Sequence, residues 1–574
     1  MQFLKFFLCS FAVLSFMSCS DDSGSSPIAV EDSSSSAVSS DKSSSSCLNV
    51  SSSSGISLSS GEVLSSSSSE MNLPGMSSSS VVSSSSMKLS SSSAFVSNDT
   101  SKVIQFLAAK NGNLYQDITF AENSDGSYSV EIVPEVDLSN IIPSFAYGGT
   151  VSLNGTVLTS GNTKVQFPDT CEVSFDGKKV AFYIKRAYAI PVIKIETLDG
   201  AEITSKDVYT SCSISVDAKN MYADYSASDA EIRLRGNSTR IYYDKKPYKL
   251  KLGSKFAILG LKEEKDWVLL ANYRDPTNFM NAVVFDMANY MEMPYTNSNR
   301  FVEVYLNGAY IGMYQLTEQV EQGKNRVAVN DATGVLLNLD VDDGPEESPN
   351  ATDNFSSTVY SLPIAVKYPE SPDAATLAAI KSDFAKLEDL IKMGDYDALS
   401  ARLDIASMID FLIIQELSRN VELVAPRSMY MYRSADSVYH FGPVWDFDGG
   451  FAFDWASMSD GHNYFGSDSW VLGSSNPSQH PLDSYNTEIS DFFVGMFANE
   501  KFLAAYKARW NELGASMLSS IFAKLDDYVL HTSAAMARNA ERWPIDKDYA
   551  TEISNLRTWL SNRISSYSSI VNGY

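Results

Sequence analysis

The sequence predicts an α+β protein in which a strand-rich part of the folded chain precedes a helix-rich part. Short apolar runs alternate with polar residues and with Gly, Asn and Asp turns up to about residue 316. From about residue 377, apolar residues instead recur at spacings of three and four. Strands followed by helices within one unit are typical of α+β folds. We divide the chain into a signal peptide at 1–18, a Ser-rich linker at 19–98, a small β domain at 99–190 and an α+β domain at 191–574.

The first 18 residues have the composition of a secretory signal peptide. Lys5 precedes an apolar run at 6–16, which is shorter than the about 20 residues that a membrane-spanning helix needs. Ser18-Cys19, followed by polar residues, resembles the lipobox of bacterial lipoproteins, and this resemblance implies that Cys19 carries lipid. We expect an exported lipoprotein, held at the periplasmic face or the cell surface through the lipid alone. The alternative is an ordinary cleaved signal with a chance Cys.

Serine dominates the linker at 19–98, and few apolar residues interrupt it. Such a segment cannot bury enough surface to offset its conformational entropy. We expect a disordered tether that carries the folded part away from the membrane. The alternative is a low-complexity insertion without a function of its own.

The segment at 99–190 is predicted to be a small Ig-like β-sandwich. Alternating runs at 127–133 and 179–184 indicate strands, and Asn-Gly and Asp-Gly pairs between the runs indicate turns. A spacer role is favoured, with binding as the alternative. Cys171 and Cys212 are the two cysteines of the folded sequence, and their pairing in an oxidising compartment is left open.

The α+β domain begins with strands and continues with helices. Asn307-Gly308 is a strong hairpin signal between two apolar runs. One apolar helical face is predicted from Leu377, Ile380, Phe384, Leu387 and Ile391. The predicted strands are 230–235, 248–252, 300–306 and 309–316, and the predicted helices are 276–291, 405–419 and most of 490–570.

The overall charge excludes some classes of partner. A formal net charge of −26 argues against nonspecific binding to nucleic acid or to anionic lipid, both of which need a basic surface. The sequence has no CxxC pair, and its four histidines are scattered, which argues against a structural zinc site.

Two groups of residues are candidates for phosphate binding. Arg235, Asn237 and Ser238 flank a glycine between two predicted strands, where backbone N–H groups can approach a phosphate. Lys246 and Lys249 follow closely and supply positive charge. The alternative is an ordinary turn with solvent-facing lysines.

Three carboxylates and one amide are candidates for chemistry. Asp446 and Asp448 lie two residues apart before Gly449-Gly450, and in a strand they would face the same side and hold one hard cation such as Mg²⁺. The alternative is a pair of carboxylates that stabilises a glycine turn. Asn420 and Glu422 follow a predicted helix, and could supply a metal ligand and a general base. The alternative for Asn420 is an ordinary helix C-cap.

Glu318 ends the second strand of the predicted hairpin. A carboxylate at this position can hold a phosphate-binding lysine in place through an ion pair. The alternative is a surface carboxylate.

Taken together, these motifs resemble the CotH (spore-coat H) kinase-like family over roughly residues 190–570. The resemblance implies a highly divergent, atypical protein-kinase-like fold, with ATP and a divalent metal, Mg²⁺ or Mn²⁺, and phosphoryl transfer to Ser, Thr or Tyr of proteins. The stretches that carry it are RGNSTRIYYDKKPYKLKL, DWVLLANYRDPTNFMNAVVFDMA, EVYLNGAYIGMYQLTEQV, FGPVWDFDGGFAF and the late LSNRI.

The resemblance implies roles for the residues that match its motifs. Lys246 resembles the phosphate-binding lysine of the family, with Lys249 as the competing choice, and Glu318 is similar to the glutamate that orients it. Asn420 resembles the catalytic-loop Asn. Asp446 resembles the Mg²⁺-binding Asp, with Asp448 as its companion.

The chain departs from the family pattern at two positions. Glu422 stands where many members have Asp, and the longer side chain would displace a base by about 1 Å, which can cost about 100-fold in rate. Met280 stands where members often have Arg before Asn281.

Two hypotheses follow. The first is an exported atypical kinase that acts on an envelope or secreted protein, with Glu422 or a nearby carboxylate steering the acceptor hydroxyl. The second is a weak or inactive pseudokinase scaffold that binds an envelope protein or a glycan at the cell surface. A carbohydrate hydrolase is less favoured, because it needs two carboxylates about 5–10 Å apart across a sugar cleft.

Overall fold

The computed structural model describes residues 100–329, 332–424, 426–434, 436–451, 453, 462, 464, 487–545 and 547–573. The predicted signal peptide at 1–18, the lipidation site Cys19 and the linker at 19–98 all lie outside the described residues. The described part mixes strands and helices, which confirms the α+β class.

The first part of the described chain consists of strands. The residues of β4 and β8 pair in parallel, and the other neighbours of this six-stranded sheet, ordered β3-β4-β8-β7-β5-β6, are antiparallel. The Ig-like assignment of this segment stays a prediction. The strands are β1 Gln105–Phe106, β2 Ile118–Thr119, β3 Ala121–Glu122, β4 Tyr128–Ile132, β5 Val151–Leu153, β6 Thr156–Leu158, β7 Thr170–Phe175 and β8 Lys178–Arg186, with β1 and β2 forming a separate pair.

A closed β-barrel follows. Its order is β10-β11-β12-β13-β15-β14-β9, and the parallel pairing of β14 with β9 closes it. Alternating apolar residues fill the interior, among them Ile193, Leu250, Trp267, Val304 and Leu316. The strands are β9 Val192–Thr197, β10 Thr210–Asp217, β11 Tyr225–Leu234, β12 Tyr248–Phe256, β13 Glu264–Leu270, β14 Arg300–Leu306 and β15 Ala309–Glu318.

The predicted hairpin is confirmed within this barrel. The residues between β14 and β15 are Asn307 and Gly308, with φ of 50° and 76°. Both residues tolerate the left-handed region, which a tight two-residue hairpin turn requires.

Helices and a second sheet complete the α+β domain. The sheet has the order β17-β18-β16-β19-β20, and a single apolar core joins it to the helices. Its strands are β16 Val335–Leu339, β17 Asn354–Ser356, β18 Pro363–Tyr368, β19 Met429–Arg433 and β20 Tyr439–Phe441. The α-helices of the described residues are α1 Ser238–Tyr242, α2 Met280–Tyr290, α3 Ala374–Met393, α4 Tyr396–Ser400, α5 Ile405–Leu417, α6 Thr487–Val494, α7 Glu500–Arg542 and α8 Tyr549–Gly573.

Local sequence explains where α3 begins and ends. The Asp373 side chain accepts a hydrogen bond from the backbone N–H of Thr376, and Gly394 ends the helix at a φ of 68°. The predicted apolar face is buried at Ile380, Phe384, Leu387 and Ile391, with Leu377 partly buried against the same core. This pattern confirms the helix that the spacing predicts.

Helix α2 starts later than predicted, at Met280 rather than directly after Asp275. The Asp275 carboxylate accepts hydrogen bonds from the backbone N–H groups of Thr277 and Met280, at 2.7 Å each. These bonds hold residues 275–279 as a loop and satisfy one of the free N–H groups of the first helical turn.

No helix in the part of the chain that the structure describes is both long and apolar enough to cross a membrane. Cys171 and Cys212 are both buried and both free thiols, so they form no disulfide in this structure.

Candidate functional site

Three carboxylates predicted from the sequence come together with arginines where two loops meet. Asp446 and Asp448 lie in the loop after β20, and Glu422 lies between α5 and β19. Glu422 and Asp448 are buried, whereas Asp446 is exposed. The Ser428 hydroxyl donates to Asp446 Oδ2 at 3.4 Å, which joins the two loops.

The aromatic residues around Asp446 fix its direction. Trp445 and Phe447 are buried on either side of it, and the Phe447 backbone N–H donates to Asn281 Oδ1 of α2 at 2.8 Å. Asp446 therefore faces away from the core. Its φ of 65° places it in the left-handed region. Asp446 and Asp448 do not lie in a strand, because this buried aromatic pair and the left-handed residue hold them in an irregular loop.

Burial and neighbouring carboxylates raise the pKa of Asp446 and of Glu422. Partial desolvation, and next the charge of Asp448, raise the pKa of Asp446. Burial raises the pKa of Glu422 to about 8, against the opposing effect of Arg427. Glu422 is therefore largely protonated at neutral pH in this structure, and can accept a proton only after positive charge is placed beside it.

Arginines supply the positive charge next to these acids. Arg274 Nη1 lies 3.5 Å from Asp448 Oδ1. The Arg235 guanidinium lies 5.3 Å from the centre of the Trp445 ring, and Arg427 Nε donates to Asp342 Oδ1 at 3.3 Å. Of these arginines, the sequence analysis assigned a role only to Arg235.

Asp340 is a further buried carboxylate that the sequence analysis missed. It accepts hydrogen bonds from the backbone N–H of Ser428 and from Asn338 Nδ2, both at 3.0 Å. Burial is the main cause that raises its pKa. Asp340 follows β16 within the acidic run Asp340-Val341-Asp342-Asp343. This run is the sequence signal from which Asp340 could have been predicted.

Asn420 shapes the loop that carries Glu422. Its Nδ2 donates to Gln415 Oε1 at 2.9 Å, and its Oδ1 accepts from the backbone N–H of Glu422 at 3.2 Å. The left-handed residue after α5 is Arg419, with a φ of 46°, and the helix C-cap is Ser418. Asn420 is therefore not the ordinary C-cap, and its role as a metal ligand stays a prediction.

The structure does not join the predicted lysines to Glu318. Lys246 Nζ donates to the carbonyl oxygens of Arg240 and Tyr243, and Lys249 Nζ pairs with Asp266 Oδ1 at 2.9 Å. Glu318 Oε2 instead accepts from the backbone N–H of Ser298 at 2.7 Å. Among the ion pairs of the described residues, none links Glu318 to either lysine. The predicted ion pair is thus not formed here, and the phosphate-binding roles stay predictions.

Lys245, the neighbour of Lys246, is the buried lysine of this motif. Its Nζ donates to the carbonyl oxygen of Met313 and to Asn539 Oδ1, and lies 4.7 Å from the centre of the Tyr314 ring. Burial lowers its pKa to about 7. Lys245 therefore ties β15 to α7.

The other predicted phosphate-binding residues lie at the start of α1. Ser238 Oγ accepts from Arg274 Nη2 at 3.1 Å, which brings Ser238 to the acidic cluster. Asn237 is exposed, and Gly236 has a φ of 76°, which a residue with a side chain rarely adopts.

The donor atoms suit a hard divalent cation. The carboxylates of Asp446 and Asp448 and the amide oxygen of Asn420 are oxygen ligands, which Mg²⁺ and Mn²⁺ prefer. The described residues contain no preformed group of three His, Cys, Asp or Glu side chains in metal-binding geometry. In this structure the neighbour of Asp448 is the Arg274 cation instead.

A family model described as CotH kinase protein matches residues 232–567, more than half of the 574-residue chain. The matched region includes both loops of the acidic cluster and the arginines next to them. No curated protein matches the chain. Because the match extends over more than half of the chain and includes the acidic cluster, the chain belongs to the CotH kinase family.

Proposed function

We propose that this protein is an exported kinase that transfers the γ-phosphoryl group of ATP to a Ser, Thr or Tyr hydroxyl of an envelope or secreted protein. The family match supports a kinase-like protein. The observation that carries the proposal is the convergence of Asp446, Asp448 and Glu422 with Arg274 at two loops. Oxygen ligands for a metal next to fixed positive charge are what phosphoryl transfer needs, because it depends mainly on positioning and charge neutralisation.

Each residue has a distinct task in this mechanism. Asp446 and Asp448, with Asn420, would hold Mg²⁺ or Mn²⁺, which when bound neutralises phosphate charge. Arg235, directly after β11, and Ser238, at the start of α1, would contact the phosphates. Glu422 would orient the acceptor hydroxyl and take its proton, once the positive charge beside it has lowered its pKa from about 8.

The proposed class of acceptor and the proposed location rest on the N-terminal sequence. Lipidation at Cys19 and a disordered linker at 19–98 would hold the kinase at the envelope, with no contribution from a transmembrane helix. The acceptor would then be a protein within reach of the tether. The net charge of −26 supports a partner other than nucleic acid.

A pseudokinase scaffold is the second candidate. Two observations favour it: the lysines at 246 and 249 are bound to groups other than Glu318, and burial keeps Glu422 largely protonated. Such a protein would bind an envelope protein or a glycan without transferring phosphate.

Phosphoryl transfer separates the two candidates. The chain without its signal peptide is incubated with γ-labelled ATP, Mn²⁺ and extracted envelope proteins, and label on protein is measured against a reaction without metal. A kinase labels one or more envelope proteins only when metal is present. No labelling together with saturable binding of an envelope protein would favour the scaffold.

A further inference from the structure

Arg274 is a buried cation at the centre of the acidic cluster. Its side chain is 4 % exposed, and its Nη1 lies 3.5 Å from Asp448 Oδ1. The guanidinium carbon lies 4.9 Å from the centre of the Phe453 ring and 5.8 Å from that of Tyr243. An arginine held between two rings and a carboxylate has a fixed position, because few of its rotamers fit.

The other end of the guanidinium connects to the predicted phosphate-binding loop. Arg274 Nη2 donates to Ser238 Oγ at 3.1 Å. One side chain thus bridges Ser238, at the start of α1 between β11 and β12, and Asp448, in the loop after β20. A planar fork of donors can span two acceptors in this way, whereas a lysine ammonium acts as a point charge.

The backbone around Arg274 is also fixed. Asn272, two residues earlier, donates to Gln315 Oε1 at 2.9 Å and to the carbonyl oxygen of Asn278 at 3.0 Å. Asp275, the next residue, accepts the backbone N–H of Met280 at the start of α2. Arg274 is therefore held from both sides by buried hydrogen bonds.

The charge of Arg274 acts on the whole cluster. An arginine guanidinium is not deprotonated in proteins, so Arg274 carries its positive charge throughout. At 3.5 Å from Asp448 Oδ1, this charge partly compensates a carboxylate that would otherwise attract a divalent cation.

We propose that Arg274 is a positioning residue that makes metal binding depend on nucleotide. Its charge opposes the entry of a divalent cation on its own, and its bridge to Ser238 holds the phosphate-binding loop next to Asp448. The phosphates of ATP add the negative charge that the cation needs, so metal and nucleotide enter together. This inference rests on the proposed function, in which the same carboxylates hold the metal.

The test compares Arg274→Gln with wild type in two titrations, Mn²⁺ alone and ATP in the presence of Mn²⁺, both by calorimetry on the chain without its signal peptide. We expect Arg274→Gln to bind Mn²⁺ alone about tenfold more tightly, and ATP with Mn²⁺ about tenfold more weakly, within the usual range of coupling between sites. A residue with only a structural role would lower both affinities when replaced.

Two further variants make the result interpretable. Arg274→Lys keeps the charge but loses the bridge, so it should bind Mn²⁺ alone as wild type does and bind ATP more weakly. Arg509→Gln is the matched control, because Arg509 forms a bidentate ion pair with Asp410 on α5, outside the cluster. Its Nε and Nη2 donate to the two Asp410 carboxylate oxygens at 2.7 and 3.1 Å. It should leave both affinities unchanged.

The outcomes separate this inference from the proposed function. Suppose that wild type binds ATP with Mn²⁺, and that Arg274→Gln either leaves the Mn²⁺ and ATP affinities unchanged or lowers both of them. Arg274 then does not make metal binding depend on nucleotide, while the proposed function stands. If wild type binds no ATP at any Mn²⁺ concentration, the proposed function is wrong and this inference falls with it. Should Arg274→Gln not fold, Ser238→Ala tests the same bridge, and unchanged ATP affinity would contradict it.

Discussion

At the scale of single residues, the strongest prediction concerns the substitution Asp446→Asn. Its side chain is exposed, and among the described residues it accepts a hydrogen bond from the Ser428 hydroxyl. Asp446→Asn should therefore fold as wild type does, with an unchanged melting temperature. Labelling of envelope proteins from ATP should fall by at least about 100-fold, because a ligand charge of the metal site is lost. A variant that unfolds would instead indicate a structural turn at 445–450.

The substitution Glu422→Asp tests the part of the same site that would face the acceptor hydroxyl. Its side chain is one methylene longer than the Asp that the family pattern suggests at this position. If the domain is an active kinase, Glu422→Asp should leave turnover unchanged or raise it, because the shorter side chain brings the carboxylate back toward the acceptor hydroxyl. Turnover is measured as the initial rate of labelling. A fall of tenfold or more would mean that this site is built around the longer side chain.

Lys245 makes the stability of the protein depend on pH. Burial lowers its pKa to about 7 from an ordinary value of 10.5. Between these values the unfolded chain keeps a proton that the folded chain has released, so the free energy of unfolding should rise with pH. The slope is at most about 1.4 kcal/mol per pH unit for one proton.

The measurement is urea unfolding of wild type and Lys245→Met at several pH values between 7 and 10. The difference in unfolding free energy, wild type minus variant, should increase with pH. A difference that stays constant would mean that Lys245 is charged in the folded protein throughout this range.

At the residue scale, the sequence marks the acids of the site locally, whereas it does not tell two adjacent lysines apart. Asp446 and Asp448 are marked locally by their aromatic and glycine neighbours, and Asn420 and Glu422 by the end of a helix. Lys245 and Lys246 are adjacent and alike in sequence. Which of the two is buried depends on Asn539 in α7, 294 positions along the chain, and no local pattern contains this contact.

At the scale of elements, the end of α5 is held by α8. Arg563 donates to the backbone carbonyl and the carboxylate of Glu416, and both side chains are fully buried. Glu416 lies immediately before the loop of Asn420 and Glu422. Arg563, in the late LSNRI stretch of the sequence, therefore stabilises the end of α5 that leads into the candidate site.

Breaking this buried pair should be costly. Arg563→Met leaves the Glu416 charge buried without its partner, and should lower the free energy of unfolding by about 3–5 kcal/mol. Arg557→Met is the matched control on the same helix, because Arg557 pairs with the largely exposed Asp526 and should cost at most about 1 kcal/mol. Urea unfolding measures both. Equal costs for the two variants would contradict the structural role of the buried pair.

Elements with a strong local signal were predicted well, and element boundaries less so. The β14–β15 hairpin follows from Asn307-Gly308, and α3 from its apolar face and caps. The start of α2 was misplaced by four residues, because the Asp275 side chain makes a loop where the sequence suggested the first helical turn. Barrel closure through the parallel β9–β14 pair joins distant segments, and no local pattern predicts it.

At the scale of the whole molecule, the proposed location rests on the N-terminal sequence. Cys19→Ala should release the protein from the membrane fraction, because the lipid is the proposed anchor. Fractionation of cells that produce the variant measures this. If the variant remains in the membrane fraction as wild type does, the anchor is not at Cys19.

The Ser-rich linker at 19–98 gives a second expectation at this scale. Limited proteolysis should cut there first and leave a resistant fragment that begins near residue 100, because the linker has little apolar surface to bury. Mass spectrometry identifies the cut sites. A first cut within the described α+β region would contradict this division of the chain.

The central claim is that the two loops form a metal-dependent nucleotide site, and calorimetry tests it most directly. ATP is titrated into wild type, Asp446→Asn and the control Asp389→Asn, whose carboxylate is exposed on α3, with and without Mn²⁺. We expect saturable binding to wild type and to the control only with Mn²⁺, and at least about tenfold weaker binding to Asp446→Asn. Absence of binding to wild type in Mn²⁺, or equal binding to all three proteins, would contradict the claim.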